Sequence, residues 1–222
     1  MAESDQSFTS DREPKTSHDH DVVVFLRALT CAVGGRTALY VSAPLTSGRR
    51  FAEWRGAASS LQGGSASEHH LAHFHHVVTP NRAAAAQVVS EIRRNPPTWI
   101  AKRSPPLVVI DPTALPDFVG WQQDDYRVLW ARVIEQFAQA IVFLEGWHYS
   151  SGCAYEFLTG ARLGIEARTG QGDPMTAIDA IRLLRAGIAD LGELGADTTF
   201  LEWVAHECEL VEARLSPANR LR

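Results

Sequence analysis

Apolar side chains recur along this chain with two alternating rhythms. Short, nearly unbroken apolar runs stand at 38–42, 107–110 and 140–144. Runs of this length, bounded by turn residues, predict strands buried on both faces of a parallel sheet. Between them the spacing changes to three and four. Ala85, Val88, Val89 and Ile92 share one face of a helix predicted over 81–94, and Pro96 and Pro97 follow it. Tyr126, Leu129, Trp130, Val133, Ile134 and Phe137 predict a second amphipathic helix over 121–138. A third helix is predicted over 152–163, with a short last strand over 165–168. Upstream, Val22, Leu26, Leu29 and Val33 predict a helix that Gly34 and Gly35 stop, although Val22 to Phe25 alone would suit a strand. Downstream, one helix holds Ile178, Ile181, Leu184 and Ile188, and another holds Leu201, Val204, Cys208, Val211 and Leu215.

Strands alternating with helices predict an α/β fold: a Rossmann-like parallel sheet with helices on both faces and a C-terminal helical extension. Right-handed crossovers then bring the loops after Ser42, Ile110 and Leu144 together at the carboxyl edge of the sheet. Residues 1–20 are polar and charged and are expected to form a disordered arm. Residues 21–170 form the α/β domain. Residues 171–222 supply helices that pack on that domain or on a partner subunit. The Gly/Ser/Ala-rich stretch 56–67 is expected to be a flexible loop.

Charge and composition narrow the function. The chain has 222 residues and a formal net charge of −5, without the basic excess of a nucleic-acid-binding domain. It has no apolar run near the ~20 residues needed to span a bilayer and no apolar signal core, so no membrane association and a cytoplasmic location are expected. Its three cysteines, Cys31, Cys153 and Cys208, are scattered and odd in number, which fits a reducing compartment rather than a disulfide framework. His69, His70, His73, His75 and His76 crowd one segment. His69 and His73 have a spacing that can bind zinc on a helix, but only Glu68 stands near to complete a set. A solvated or partner-facing segment, or one that closes over the active site, is expected there. No metal and no cofactor are expected.

The segment 143–165 carries the most chemistry. It reads as a strand end, a small-residue turn with Ser150 and Ser151, and a helix opening at Gly152 that places Glu156 in about its first turn. A helix start offers free N–H groups and partial positive charge, a cradle for a phosphate or a sugar hydroxyl. A carboxylate beside it is placed to attack or stabilise an electron-poor carbon. The helix N-terminus and a tyrosine hydroxyl would both favour its ionised form.

Leu-Tyr40-Val-Ser42-Ala-Pro44-Leu-Thr, Asn81 at a helix start, Val-Val-Ile-Asp111-Pro-Thr, and Leu144-Glu-Gly-Trp147-His-Tyr-Ser150-Ser151-Gly152-Cys-Ala-Tyr-Glu156 occur in that order. These blocks, spanning about 38–165, resemble the nucleoside 2-deoxyribosyltransferase-like superfamily, in particular a phage and bacterial branch of it. The resemblance implies a flavodoxin-like sheet and cleavage of the N-glycosidic bond of a nucleoside or nucleoside 5′-monophosphate. Glu156 matches the nucleophile that attacks the anomeric carbon, Tyr40 the tyrosine that holds its carboxylate, and Ser151 and Gly152 the turn at the sugar's 5′ side. It also implies a homo-oligomer, here expected to be a dimer, in which a neighbouring subunit lends a residue to the pocket. The chain departs from the family at Ala43, where glycine is usual, and at Gln139, Ala131 and Ser150, where acids stand. Loss of those acids leaves nucleotide hydrolysis, or a binding protein without turnover, open beside deoxyribosyl transfer.

The departing base needs a proton, and Asp124, Asp125 and His148 are the candidate donors, with Asp125 taken into the expected catalytic set beside Glu156 and Tyr40. Ser42, Pro44, Asn81, Asp111, Trp147, Ser150, Ser151 and Gly152 are the expected substrate contacts. Several have plainer readings: Tyr40 as a core aromatic, Asn81 as a helix cap, Trp147 as a rim aromatic rather than a base-stacking one, Asp111 as a turn residue rather than a pocket acid. Arg49 and Arg50, at the end of a loop expected over 45–50, read as surface arginines or as phosphate contacts.

Overall fold

A parallel sheet must be covered on both faces, and the computed structural model, which describes residues 12–36, 38–58, 66–101, 108–115 and 117–215, is organised around that need. The strands are β1 (Ala38–Ser42), β2 (Val108–Ile110), β3 (Ala138–Phe143) and β4 (Glu166–Thr169). All pairings are parallel and the strand order is β2-β1-β3-β4. The helices are α1 (Asp19–Val33), α2 (Arg49–Ala58), α3 (Ala66–His73), α4 (Thr79–Arg94), α5 (Thr98–Ala101), α6 (Gln123–Phe137), α7 (Ser151–Leu163), α8 (Ala177–Glu193) and α9 (Thr199–Leu215). This is the expected Rossmann-like α/β fold with C-terminal helices.

β1 is the centre of the molecule, and all five of its residues are fully buried. Side chains alternate along it. Leu39 and Val41, with Ala140 and Val142 of β3, meet Ala85, Val89 and Ile92 of α4. Tyr40, with Ile110, Ile141 and Phe143, joins a larger core that includes Leu129 and Val133 of α6 and Phe157 and Leu158 of α7. After β1 the chain crosses to β2 on one side, and β3 continues to β4 on the other. The crevice of such a sheet lies where the order reverses, outside the carboxyl ends of β1 and β3.

The C-terminal helices pack on their own chain. Leu184 and Leu191 of α8 and Leu201, Trp203, Val204 and Cys208 of α9 belong to the same core as α7. The helical alternative holds for 19–33, where Val22 and Val33 are buried while Val23 and Val24 face out. Among the described residues, no helix is long and apolar enough to cross a membrane.

Three expectations are corrected. The arm is not free throughout: Glu13 accepts hydrogen bonds from Tyr155 and Arg162, Thr16 donates to Asp125, and His18 stacks on Trp121. Its partners lie more than a hundred residues away in sequence, so composition does not reveal them. Residues 1–11 lie outside the described residues. The stretch 56–67 is largely helical where described, because α2 runs on to Ala58 and α3 begins at Ala66, and 59–65 lie outside the described residues, as does Leu107. The segment after Pro44, read as a loop to Arg50, is already helical from Arg49.

Trp147 is only 4% exposed and its ring packs between those of Phe143 and Phe157, at 4.9 and 5.2 Å. It anchors the turn between β3 and α7 to the core and is not free to stack on a base. Trp147→Ala should cost about 3–5 kcal/mol in urea unfolding. A loss below about 1 kcal/mol would mean that the turn does not depend on this contact.

Candidate active site

Helix α7 positions the central carboxylate. Ser150 caps it, its hydroxyl accepting from the Cys153 N–H, so the helix opens one residue earlier than expected and Glu156 stands in the second turn. From there the side chain points at the sheet rather than at the helix start. Tyr40 and Ser42, two apart on β1 and hence on one face of the strand, both reach it. The Tyr40 hydroxyl donates to Glu156 Oε1 at 2.7 Å, and the Ser42 hydroxyl donates to Oε2 at 2.6 Å.

Burial decides the charge. Glu156 is 8% exposed, and Tyr40 and Ser42 are fully buried. Loss of water raises the Glu156 carboxyl from 4.5 to about 7, although both hydroxyls pull it down. The Tyr40 hydroxyl favours the anion as expected, but burial outweighs it, so at neutral pH both forms are populated. Tyr40 is pushed well above its usual range by burial and by the neighbouring carboxylate. Cys153, three residues before Glu156 on α7, is raised to about 12 by burial and by Glu156, against the smaller opposing pull of the Ser42 and Ser150 hydroxyls. It is an unreactive neutral thiol.

A cleft of about 620 Å³ opens at the carboxyl edge of the sheet. Pro44 and Ser47 come from the segment after β1, Arg49 and Arg50 from α2, Asn81 from α4, and Leu144 to Gly146 with His148 and Tyr149 from the segment after β3. Arg49 pairs with Glu53 and lies 5.9 Å over the Tyr149 ring, whose hydroxyl donates to Asp190. Glu156 does not line this cleft, but small polar groups join its helix to the cleft wall. The hydroxyls of Ser47, in the cleft wall, and Ser150 lie 3.1 Å apart, and Ser150 caps the helix on which Cys153 and Glu156 stand.

The structure brings Tyr40, Ser42, Ser150 and Glu156 together and gives other expected residues different work. Asn81 is not a cap: it is the third residue of α4, its amide donates to the Leu45 carbonyl at 2.9 Å, and it lines the cleft with Pro44. Asp111 is a turn residue whose carboxylate accepts from the N–H and hydroxyl of Thr113, near enough for its charge to raise Tyr40. Ser151 accepts from Arg127 at 2.7 Å. Arg127 also pairs with Asp124 and lies 3.9 Å over the Phe200 ring. Gly152 faces the Gln123 amide.

Asp125 is corrected as a proton donor. It is 4% exposed, accepts from Thr16, and forms a reciprocal capping box with Gln122 at the start of α6. Burial raises it, but hydrogen bonds from Thr16, Gln122 and Ser17 hold it below its ordinary value. It is a structural anion with no proton to give at neutral pH. The roles of Ser42 as second holder of Glu156 and of Arg127 as the grip on Ser151 were not foreseen. The two-residue spacing from Tyr40 could have flagged the first, whereas nothing in the local sequence of Arg127 signals the second. Of the histidines, His73 meets the Thr46 carbonyl at 3.0 Å and packs on Phe51 and Trp54. Among the described residues no three His, Cys, Asp or Glu side chains come together as a metal site.

No family model, no curated protein and no solved structure matches this chain.

A buried acid raised in the folded state stabilises the protein when protonated and loses that contribution as pH rises from 4.5 through about 7. The full span is worth about 3 kcal/mol. Urea unfolding at pH 5 and pH 8 should show the native protein losing about 2–3 kcal/mol more over that interval than Glu156→Gln. Equal losses would mean that Glu156 does not titrate in the folded state.

Proposed function

We propose that this protein cleaves the N-glycosidic bond of a nucleoside or nucleoside 5′-monophosphate, with Glu156 as nucleophile. The observation that carries the reading is the buried carboxylate held at both oxygens by hydroxyls of one strand, beside the crevice where strand order reverses. Such a carboxylate is fixed in direction and poorly solvated, which favours attack on a carbon that becomes oxocarbenium-like as the base departs. Its proton affinity near neutrality makes it a better nucleophile than a solvated glutamate while leaving a usable ionised fraction. Ser47 lies between the cleft and this centre through its contact with Ser150, so the sugar would reach Glu156 as that contact opens.

A second reading is a nucleotide-binding protein of the same fold without turnover. It is favoured by the commitment of Asp125 to a helix cap and by the separation of Glu156 from the cleft wall. Under either reading a homodimer is proposed, and exposed apolar side chains such as Ile178 and Leu215 offer surface for it.

Base release from a panel of nucleosides and 5′-monophosphates, followed by chromatography, separates the two. Under the first reading Glu156→Gln should lower release by at least about a thousandfold while the cleft still binds. Release that survives the substitution unchanged would sink the mechanism, and binding without release would favour the second reading.

A further inference from the structure

We propose that His148 is the catalytic acid of this site, giving its proton to the ring nitrogen of the departing base. The inference rests on the glycosidic reading above and supplies the donor that reading lacks. Of the three candidates, Asp125 is locked into the α6 capping box and Asp124 is paired with Arg127. His148 alone of the three lines the cleft.

The surroundings of the ring point the same way. His148 sits in the turn Trp147–Tyr149 that leads directly into α7, and buried Trp147 anchors that turn. Its Nδ1 is buried and has no hydrogen-bond partner among the described residues. The Cδ2 edge packs on Gly187 of α8, where a Cβ would come within 3.0 Å of both that edge and the His148 carbonyl. Gly187 is itself buried in the helix interior, a position where glycine costs stability relative to alanine. The bare backbone makes room for the imidazole. With Nδ1 covered and Cδ2 against α8, the Cε1–Nε2 edge is the one left for the cleft. Burial lowers the proton affinity of the ring, with Asp190 opposing, so the imidazolium is a stronger acid and also the less populated form at neutral pH.

The step balances as follows. A Glu156 oxygen forms a bond to the anomeric carbon as the C–N bond breaks, and the bond's electron pair goes to the base nitrogen, which takes the proton from His148 Nε2. The base leaves neutral, the sugar stays as an ester on Glu156, and His148 becomes a neutral imidazole. Water, deprotonated by that imidazole, then attacks the anomeric carbon, freeing the Glu156 carboxylate and restoring the imidazolium.

The test compares two leaving groups on the same sugar phosphate: a natural base, which needs a proton, and 4-nitrophenolate, which does not. In His148→Gln the natural substrate should lose roughly a hundred- to ten-thousandfold in kcat/KM, which reports only the steps up to departure of the leaving group, while kcat/KM for the nitrophenyl substrate changes less than about threefold. Gly187→Ala, which pushes the imidazole without removing it, should show the same selectivity to a smaller degree. If release depends on Glu156 but His148→Gln slows both substrates equally, or neither, the assignment is overturned and the glycosidic reading stands. If neither substrate is cleaved by the native protein, the glycosidic reading itself fails and takes the assignment with it. Should His148→Gln not fold, the Gly187→Ala ratio decides: an unchanged ratio overturns the proposal.

Discussion

One buried negative charge constrains this molecule more than any other single feature. Placing a carboxylate in the core beside a sheet costs free energy unless polar partners meet it. Here two hydroxyls from β1 each donate to one oxygen of Glu156. They offset only part of the cost, as the carboxyl's rise to about 7 shows. A protein selected for stability alone would place leucine or methionine here. Retention of an acid, together with a tyrosine and a serine whose hydroxyls are spent on it, is a stability cost of the kind that functional sites carry.

The surrounding architecture serves that placement. The order β2-β1-β3-β4 puts β1 next to β3, so the helix that follows β3 packs over Tyr40 and Ser42. The tight turn after β3, closed by buried Trp147 and capped by Ser150, sets the phase of α7 so that Cys153 and Glu156, three residues apart, face inward. A shift of one residue in that phase would swing Glu156 about 100° toward α6 or α9. Arg127, wedged between Asp124, Ser151 and the face of Phe200, holds the start of α7 from outside.

Much of the fold is legible in the chain. The runs at β1 and β3 and the three-four repeat of α6 are strong because both faces of the sheet are buried and α6 presents a single apolar stripe. Glu156 stands out by the small-residue turn and helix start before it, and Tyr40 only through the order of the sequence blocks around it. What the chain hides is whatever depends on distant partners. Asp125 looks like a free acid in a helix first turn until Thr16 and Gln122 are seen to occupy it. Trp147 looks like a rim aromatic until Phe143 and Phe157 close around it. Glu13, Thr16 and His18 read as a solvated arm because tethers more than a hundred residues away leave no trace in composition. The rise of the Glu156 carboxyl is hidden from the sequence because the helix start and the tyrosine hydroxyl are visible there and desolvation is not.

The most direct test of the central claim is to look for the sugar on Glu156. Incubation with a 2-fluoro-2-deoxy nucleoside 5′-monophosphate, whose fluorine slows breakdown of the ester, should add one sugar phosphate per chain by intact mass, and peptide mapping should place it on Glu156. An unmodified chain, or an adduct on any other side chain, would contradict the account.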